Sequence, residues 1–286
     1  MSIPPNPMVD LKDRVFVVTG ASRGIGLSIA HALARRGAKI GMLARGAGEL
    51  EERAAEIGAD ALALAVDVGD KADFTRAVDA VAAHFGGLDG IVNNAGLSRL
   101  SPVIETSEAD ANMIISVNLL GTLFGAQAAV PHLRKRGGGT IINLSSSTVR
   151  WRDEFPHMGF YAGVKSAIDR MSAELRDELK HEGIAVMLFS PGATITYANT
   201  NWAEGTFERG MEEWTRQGTW CDSYARPEVV GEAIVRMLEL PAGTAFDFAE
   251  LRPNVPSLRR PMQAGLEKQE QEEAARTAQS IATDQG

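Results

Sequence analysis

Residues 15–36 read VFVVTGASRGIGLSIAHALARR. Val15 to Val18 form a short apolar run of the kind that makes a buried strand, and from Leu27 to Arg36 the apolar residues recur at helical spacing. Between them stands TGASRGIG, so the order is strand, glycine turn, helix. Gly20 lets the strand turn tightly, Gly24 clears room for a pyrophosphate to approach the backbone, and Gly26 lets the helix pack closely on the sheet. The helix N-terminus then faces the anion. The spacing is Gly-x-x-x-Gly-x-Gly, not the commoner Gly-x-Gly-x-x-Gly, and the plain alternative is a glycine-rich turn that holds no ligand.

The same alternation continues along the chain. Strand-like runs occur near 15–19, 39–44, 61–66, 89–93, 139–144 and 184–190, with a last one near 245–251. Helical patterns lie between them at about 24–36, 47–57, 71–85, 108–135, 160–181 and 227–239. This pattern predicts an α/β fold: one Rossmann-type, doubly wound parallel sheet with right-handed crossovers. Ligands then sit beyond the carboxyl ends of the strands. Residues 1–10 hold three prolines and read as an arm, 11–260 as a single dinucleotide-binding, Rossmann-type domain, and 261–286 as a polar tail.

Composition is consistent with this reading. The 286 residues are 44% apolar, enough for a substantial core, and carry a net charge of −8. That charge argues against nucleic acid or an anionic membrane as a partner held by general electrostatics. The single cysteine, Cys221, excludes an internal disulfide and a multi-cysteine zinc site, so no metal is expected. The N-terminus lacks a basic region followed by an apolar stretch, and nowhere do eighteen apolar residues run together. A cytoplasmic location is the expectation.

Further on stands YAGVK, Tyr161 to Lys165. Four positions apart on a helix is one face, so the phenol and the ammonium are within contact distance. A fixed positive charge favours the phenolate, so Lys165 is expected to lower the Tyr161 pKa and let it exchange protons with a substrate. A lone Tyr-x-x-x-Lys is a weak signal, and its weight comes from what precedes it.

TGASRGIG, NNAG ending at Gly96, SVN ending at Asn118, INLSS ending at Ser146, YAGVK and SPGATIT, Ser190 to Thr196, stand in the order seen in short-chain dehydrogenases/reductases. The chain resembles that family over roughly residues 10–250. The resemblance implies hydride transfer between a nicotinamide cofactor and a carbonyl or secondary alcohol. In that reaction Tyr161 is the acid or base, Lys165 also bonds the nicotinamide ribose, Ser146 polarises the carbonyl, and Asn118 holds a water in a proton relay. It implies cofactor contacts from Gly20, Ser22, Arg23, Gly24, Ile25 and Gly26, from Asp67 and Val68, from Asn94, Ala95 and Gly96, and from Pro191, Gly192, Thr194 and Thr196. Asn93 is read as structural more than binding. The family's serine usually precedes the tyrosine by about thirteen residues, which points to Thr148; alignment on INLSS favours Ser146 over Ser145 and Ser147, with a short insertion that brings Trp151, Phe155 and His157 near the pocket.

Charge at the end of the second strand bears on the cofactor. The strand KIGMLA ends in Ala44 and Arg45 with no acid before Glu49, and Arg23 lies in the glycine turn, so NADP(H) is expected over NAD(H). Residues 197–224, the family's variable substrate lid, hold Trp202, Trp214 and Trp220 with Tyr197, Phe207, Met211 and Tyr224. Trp202, Met211 and Trp214, with Trp151, form an expected apolar wall suited to a bulky or aromatic ketone. The plain alternative is that Phe207, Met211 and Trp214, at helical spacing, pack a short helix onto the core. ELRPN stands where many relatives have a glycine-rich DGG, which weakens transfer from 3-oxoacyl thioester reductases without excluding them. A non-catalytic, dinucleotide-binding regulatory protein is the other alternative, disfavoured because Asn118, Ser146, Tyr161 and Lys165 are all present. The helices near 108–135 and 160–181 resemble those that pair in family homodimers and homotetramers.

Overall fold

In the computed structural model of the chain, residues 8–150, 156–196, 202, 205–217 and 224–253 are described. Strand β1, Val15–Thr19, is buried along its whole length, as a parallel strand covered on both faces must be. Its side chains alternate: Phe16 and Val18 join one apolar cluster, Val15 and Val17 the other. Strands β2 (Lys39–Ala44), β3 (Ala61–Ala65), β4 (Gly90–Asn93), β5 (Gly139–Leu144), β6 (Ile184–Pro191) and β7 (Ala249–Leu251) complete the sheet. The order is β3-β2-β1-β4-β5-β6-β7 and every pairing is parallel. This is the doubly wound Rossmann-type sheet that the alternation predicts.

Helices α1 (Gly24–Ala34), α2 (Ala47–Ile57) and α8 (Pro227–Leu238) bury Ile29, Leu33, Leu50, Val230 and Ile234 against one face. On the other face α3 (Lys71–Phe85) and α5 (Gly121–Arg136) bury Phe74, Val78, Val81 and Leu133. The remaining helices are α4 (Glu108–Ile114), α6 (Gly159–Leu179) and α7 (Thr206–Gln217). Strand order reverses between β1 and β4, the switch point beside which ligands bind in such sheets.

Local differences from the sequence reading have physical causes. The long helix near 108–135 is interrupted by a π-helical turn, Ile115–Leu120, between α4 and α5. The Asn118 side chain donates to the Ile114 carbonyl oxygen at 3.0 Å, taking the acceptor that its own backbone amide would use in an α-helix, which favours the wider register. Glu108–Arg136 as a whole is long and apolar enough to cross a bilayer by length and composition, yet half of its apolar window is buried inside the protein. The last strand is shorter than expected, because β7 pairs only with the final residues of β6, Phe189 to Pro191. Within the expected arm, Val9 is already tied down, its amide donating to the Glu239 carbonyl at 2.8 Å. The tail, Cys221 and lid residues 197–201 lie outside the described residues.

Candidate active site

The carboxyl ends of the strands open onto a cleft of about 440 Å³. The turn after β1 lines it with Gly20, Ser22, Arg23, Gly24 and Ile25, and the end of β2 with Ala44, Arg45, Gly46 and Glu49. Asp67 and Val68 follow β3; Asn94 to Ser98 follow β4; Leu144, Ser145 and Ser146 end β5; Tyr161 and Lys165 come from α6; Pro191, Gly192, Thr194 and Thr196 follow β6. Of the residues expected to hold a dinucleotide, Gly26 is the one that stays out of the lining. A Cβ there would lie 2.2 Å from the Gly20 carbonyl oxygen and 2.6 Å from Asn94 Nδ2, so Gly26 permits close packing of α1 on the strand end.

The turn itself is shaped for an anion. Gly20 and Gly24 have φ of +65° and +58°, in the left-handed region that favours glycine. An added Cβ at Gly24 would meet only Thr196, at 3.8 Å, which leaves room above the backbone. No side chain caps the first turn of α1, so its amides and the positive end of the helix dipole are available to a phosphate. Thr19, which sequence reasoning passed over, braces the opposite wall: its Oγ1 accepts from the Asn94 and Ala95 amides at 3.0 and 2.9 Å. The only signal for it was a hydroxyl closing an apolar run.

Asn93 and Asn143 are register partners on β4 and β5. Asn93 donates to Asn143 at 2.9 Å, and Asn143 in turn to Ser172 at 2.9 Å. This buried polar chain ties the sheet to α6 and accords with a structural role for Asn93. Asp67 accepts from the Gly69 amide through Oδ1 at 2.9 Å, the loop bond that is its plain alternative role, and it lines the cleft as well.

At the far end, Tyr161 and Ser146 line the cleft together, and the Ser146 hydroxyl is the nearby group that favours the ionised phenol. Ser146 is held from behind by Thr148, whose hydroxyl and amide donate to its Oγ at 2.9 and 3.3 Å. Ser145 faces the other way and bonds Asp169. Geometry thus separates the four hydroxyls that spacing left open: Ser146 lies beside the tyrosine in the cleft, Thr148 supports it, Ser145 turns to Asp169 on α6, and buried Ser147 does not line the cleft. Lys165 is 4% exposed and donates to the Leu144 carbonyl oxygen at 2.8 Å. Its Nζ lies 5.8 Å from the centre of the Tyr161 ring. Burial pulls the lysine down from 10.5 to about 8, partly offset by Asp169.

One expectation is overturned here. Lys165 was to lower the Tyr161 pKa, but burial pushes the phenol up to about 12, and the opposing influence is the hydrogen bond from Ser146. Desolvation of the phenolate outweighs an ammonium that is itself buried and turned toward Leu144.

Asn118 lies behind the cleft and does not line it. It donates to the Leu97 and Ile114 carbonyls at 2.9 and 3.0 Å, while its Oδ1 is buried without a partner. A Cβ on Gly96 would sit 2.7 Å from that oxygen and 3.6 Å from Lys165 Nζ. An acceptor thus waits beside the lysine across a glycine.

On the substrate side, Trp202 and Tyr161 pack with buried Leu100 and Met158, two residues the sequence reading missed because each is a single apolar residue in a loop. Trp202 Nε1 donates to Ser98 at 3.4 Å, and its ring lies 6.1 Å from Phe207. Helix α7 seats through Gly210, where a Cβ would fall 2.4 Å from Leu100. Phe207 is 45% exposed, so the expected helical packing stripe is not buried at that position. His157 accepts from the Ser101 amide through its carbonyl at 2.8 Å. Trp151, Phe155, Tyr197 and Trp220, and the side chains of Met211 and Trp214, lie outside the described residues.

The family model for short chain dehydrogenase matches residues 14–206. The chain belongs to this family. An uncharacterized oxidoreductase of Staphylococcus saprophyticus is 30% identical over 254 residues, covering 88% of this chain and all of the relative. Among solved structures, the 3-ketoacyl-(acyl-carrier-protein) reductase of Brucella melitensis, complexed with NADH, superposes with a TM-score of 0.74 at 25% identity, over 84% of this chain and 97% of that one. The alcohol dehydrogenase of the archaeon Thermococcus sibiricus, complexed with 5-hydroxy-NADP, gives 0.71 at 28% identity, over 85% and 99%. This short-chain dehydrogenase is therefore an oxidoreductase whose structural relatives bind nicotinamide dinucleotides in the same fold.

Proposed function

We propose that the protein reduces a hydrophobic, ring-bearing ketone with NADPH, and oxidises the corresponding alcohol in reverse. The observation that carries the reaction type is the convergence of Tyr161, Ser146 and Lys165 at the end of a glycine-turn cleft. A nicotinamide bound in the cleft supplies the hydride. The protein's own residues manage the charge that develops on the carbonyl oxygen. Tyr161, held protonated by its burial, donates the proton, and Ser146, aligned by Thr148, donates a second hydrogen bond to the same oxygen. Lys165 provides positive charge as the phenolate forms, and Asn118 Oδ1 accepts a bridging water that reprotonates the pair.

Two further features support the finer reading. Arg45 and Arg23 line the cleft beside the end of β2, where they would meet a 2′-phosphate, and Ala44 leaves no carboxylate at the strand end, although Glu49 lines the same region. The wall of Trp202, Leu100 and Met158 beside Tyr161 is apolar with one polar point, Ser98, the composition of a site for a large apolar substrate. A steady-state panel tests the proposal: aryl and polycyclic ketones, small aliphatic ketones and 3-oxoacyl thioesters, each with NADPH and NADH. The expected result is highest kcat/KM for ring-bearing ketones with NADPH. Equal or better use of small aliphatic ketones overturns the substrate, and preference for NADH overturns the cofactor.

A further inference from the structure

Behind the reacting groups lies a second polar cluster to which the mechanism above gives no part. Asp169 stands one helical turn beyond Lys165 on α6, on the same face. One of its carboxylate oxygens accepts from Ser145, and the other from Arg150 at 2.8 Å. Ser145 is 2% exposed and immediately precedes Ser146, and Arg150 closes the turn after it. The Arg150 guanidinium in turn lies 3.8 Å from the Phe248 ring centre, a cation–π contact that fixes it from the sheet edge. A single carboxylate thus grips the chain on both sides of Ser146, from the helix that carries Tyr161 and Lys165.

We propose that Asp169 is a positioning residue of the reaction centre: by holding Ser145 and Arg150 it sets the strand end that presents Ser146, and it keeps a negative charge behind Lys165. Two consequences follow. Ser146 can meet Tyr161 only if the β5 end and α6 keep their spacing, and the Asp169 grip spans that gap. Lys165 is deeply buried, and among the described residues Asp169 is the charge that acts on it to favour the ammonium. Of the other charged or titratable groups nearby, Tyr161 on α6 is a neutral phenol and Arg150, after β5, is neutralised by its pairing with Asp169. From the π-helical turn packed against α6, the group at this point is the uncharged Asn118.

The inference rests on the proposed reaction, and its test separates the two. Protein carrying 13C at lysine Cε is titrated by NMR, with the Lys165 resonance assigned by its loss in Lys165→Arg. In Asp169→Asn the Lys165 titration is expected to move down by about one pH unit, the usual scale for loss of a neighbouring opposite charge. The kcat of the same variant is expected to fall roughly tenfold with the cofactor KM unchanged, and its alkaline limb to move down in parallel. Should Asp169→Asn fail to fold, Ser145→Ala and Arg150→Gln each release one side of the grip and are expected to lower kcat severalfold, again at constant cofactor KM. An unmoved Lys165 titration in folded Asp169→Asn, or wild-type kcat in both substitute variants, overturns the proposal. Absence of turnover by the wild-type protein on every carbonyl overturns the reaction instead, and leaves the lysine titration to decide the role of Asp169.

Discussion

Lys165 donates its buried ammonium to the Leu144 carbonyl oxygen, 2.8 Å away, at the last position of β5. The bond satisfies one of three ammonium protons, and burial lowers the lysine from 10.5 to about 8. At roughly 1.4 kcal/mol per unit, the folded state carries a cost of a few kcal/mol to keep this group charged. Lys165→Met is therefore expected to abolish turnover and yet stabilise the protein by about 1–2 kcal/mol near neutral pH, after the loss of the Leu144 bond is subtracted. The sign with pH follows from linkage. The folded pKa is depressed, so the unfolded chain binds more protons between about 8 and 10.5 and the native protein gains stability as pH rises through that window. The advantage of the variant should shrink across it, as followed by denaturant titration at several pH values; a destabilised variant contradicts the reading.

In the proposed reaction the same group is expected to set the pH dependence. Tyr161, pushed up to about 12, stays protonated throughout the working range, whereas Lys165 loses its charge as pH rises through about 8. Ketone reduction at saturating cofactor is expected to hold below that value and to decline above it. A profile flat to pH 10 would show that the lysine charge is not needed in the rate-limiting step.

Hydroxyl orientation separates the adjacent serines. Tyr161→Phe removes the proposed proton donor and is expected to cost at least about 10²-fold in kcat while NADPH still binds. Ser146→Ala, which removes the hydroxyl beside Tyr161 in the cleft, is expected to cost a comparable factor. Ser145→Ala is expected to retain far more activity, because that hydroxyl is engaged by Asp169. Equal losses in the two serine variants would contradict the assignment.

Arg45→Asp is expected to weaken NADPH more than NADH by roughly 1–3 kcal/mol, the scale of a hydrogen bond to a charged group. Cofactor dissociation constants by fluorescence titration check this. Equal effects on the two cofactors would remove Arg45 from recognition of the 2′-phosphate.

Gly26→Ala tests packing rather than binding. Its methyl would meet the Gly20 carbonyl oxygen at 2.2 Å, and because that neighbour is backbone, relief requires α1 to move off the strand end. A loss of about 1–3 kcal/mol in stability is expected, together with weaker cofactor binding, whereas Gly163→Ala, in open space on α6, should leave stability within about 0.5 kcal/mol or raise it slightly. A fully stable Gly26→Ala protein would show that the helix can shift without cost.

Much of this architecture is written locally. Apolar runs and helical spacing of apolar residues, with glycine at the turn after β1, are enough to dictate a doubly wound parallel sheet and to place the glycine turn, Tyr161 and Lys165 at one edge of it, because backbone sterics and side-chain spacing act over a few residues. Other features depend on residues far apart in the chain. Which of Ser145, Ser146, Ser147 and Thr148 faces Tyr161 depends on how the end of β5 meets α6, and adjacent hydroxyls are equivalent until a helix packs beside them. Leu100, Met158 and Trp202 become one wall only when three loops converge. The direction of the Tyr161 shift is the plainest case: i,i+4 spacing brings the ammonium close, but the depth of burial decides between Coulomb attraction and desolvation, and burial is a property of the folded whole.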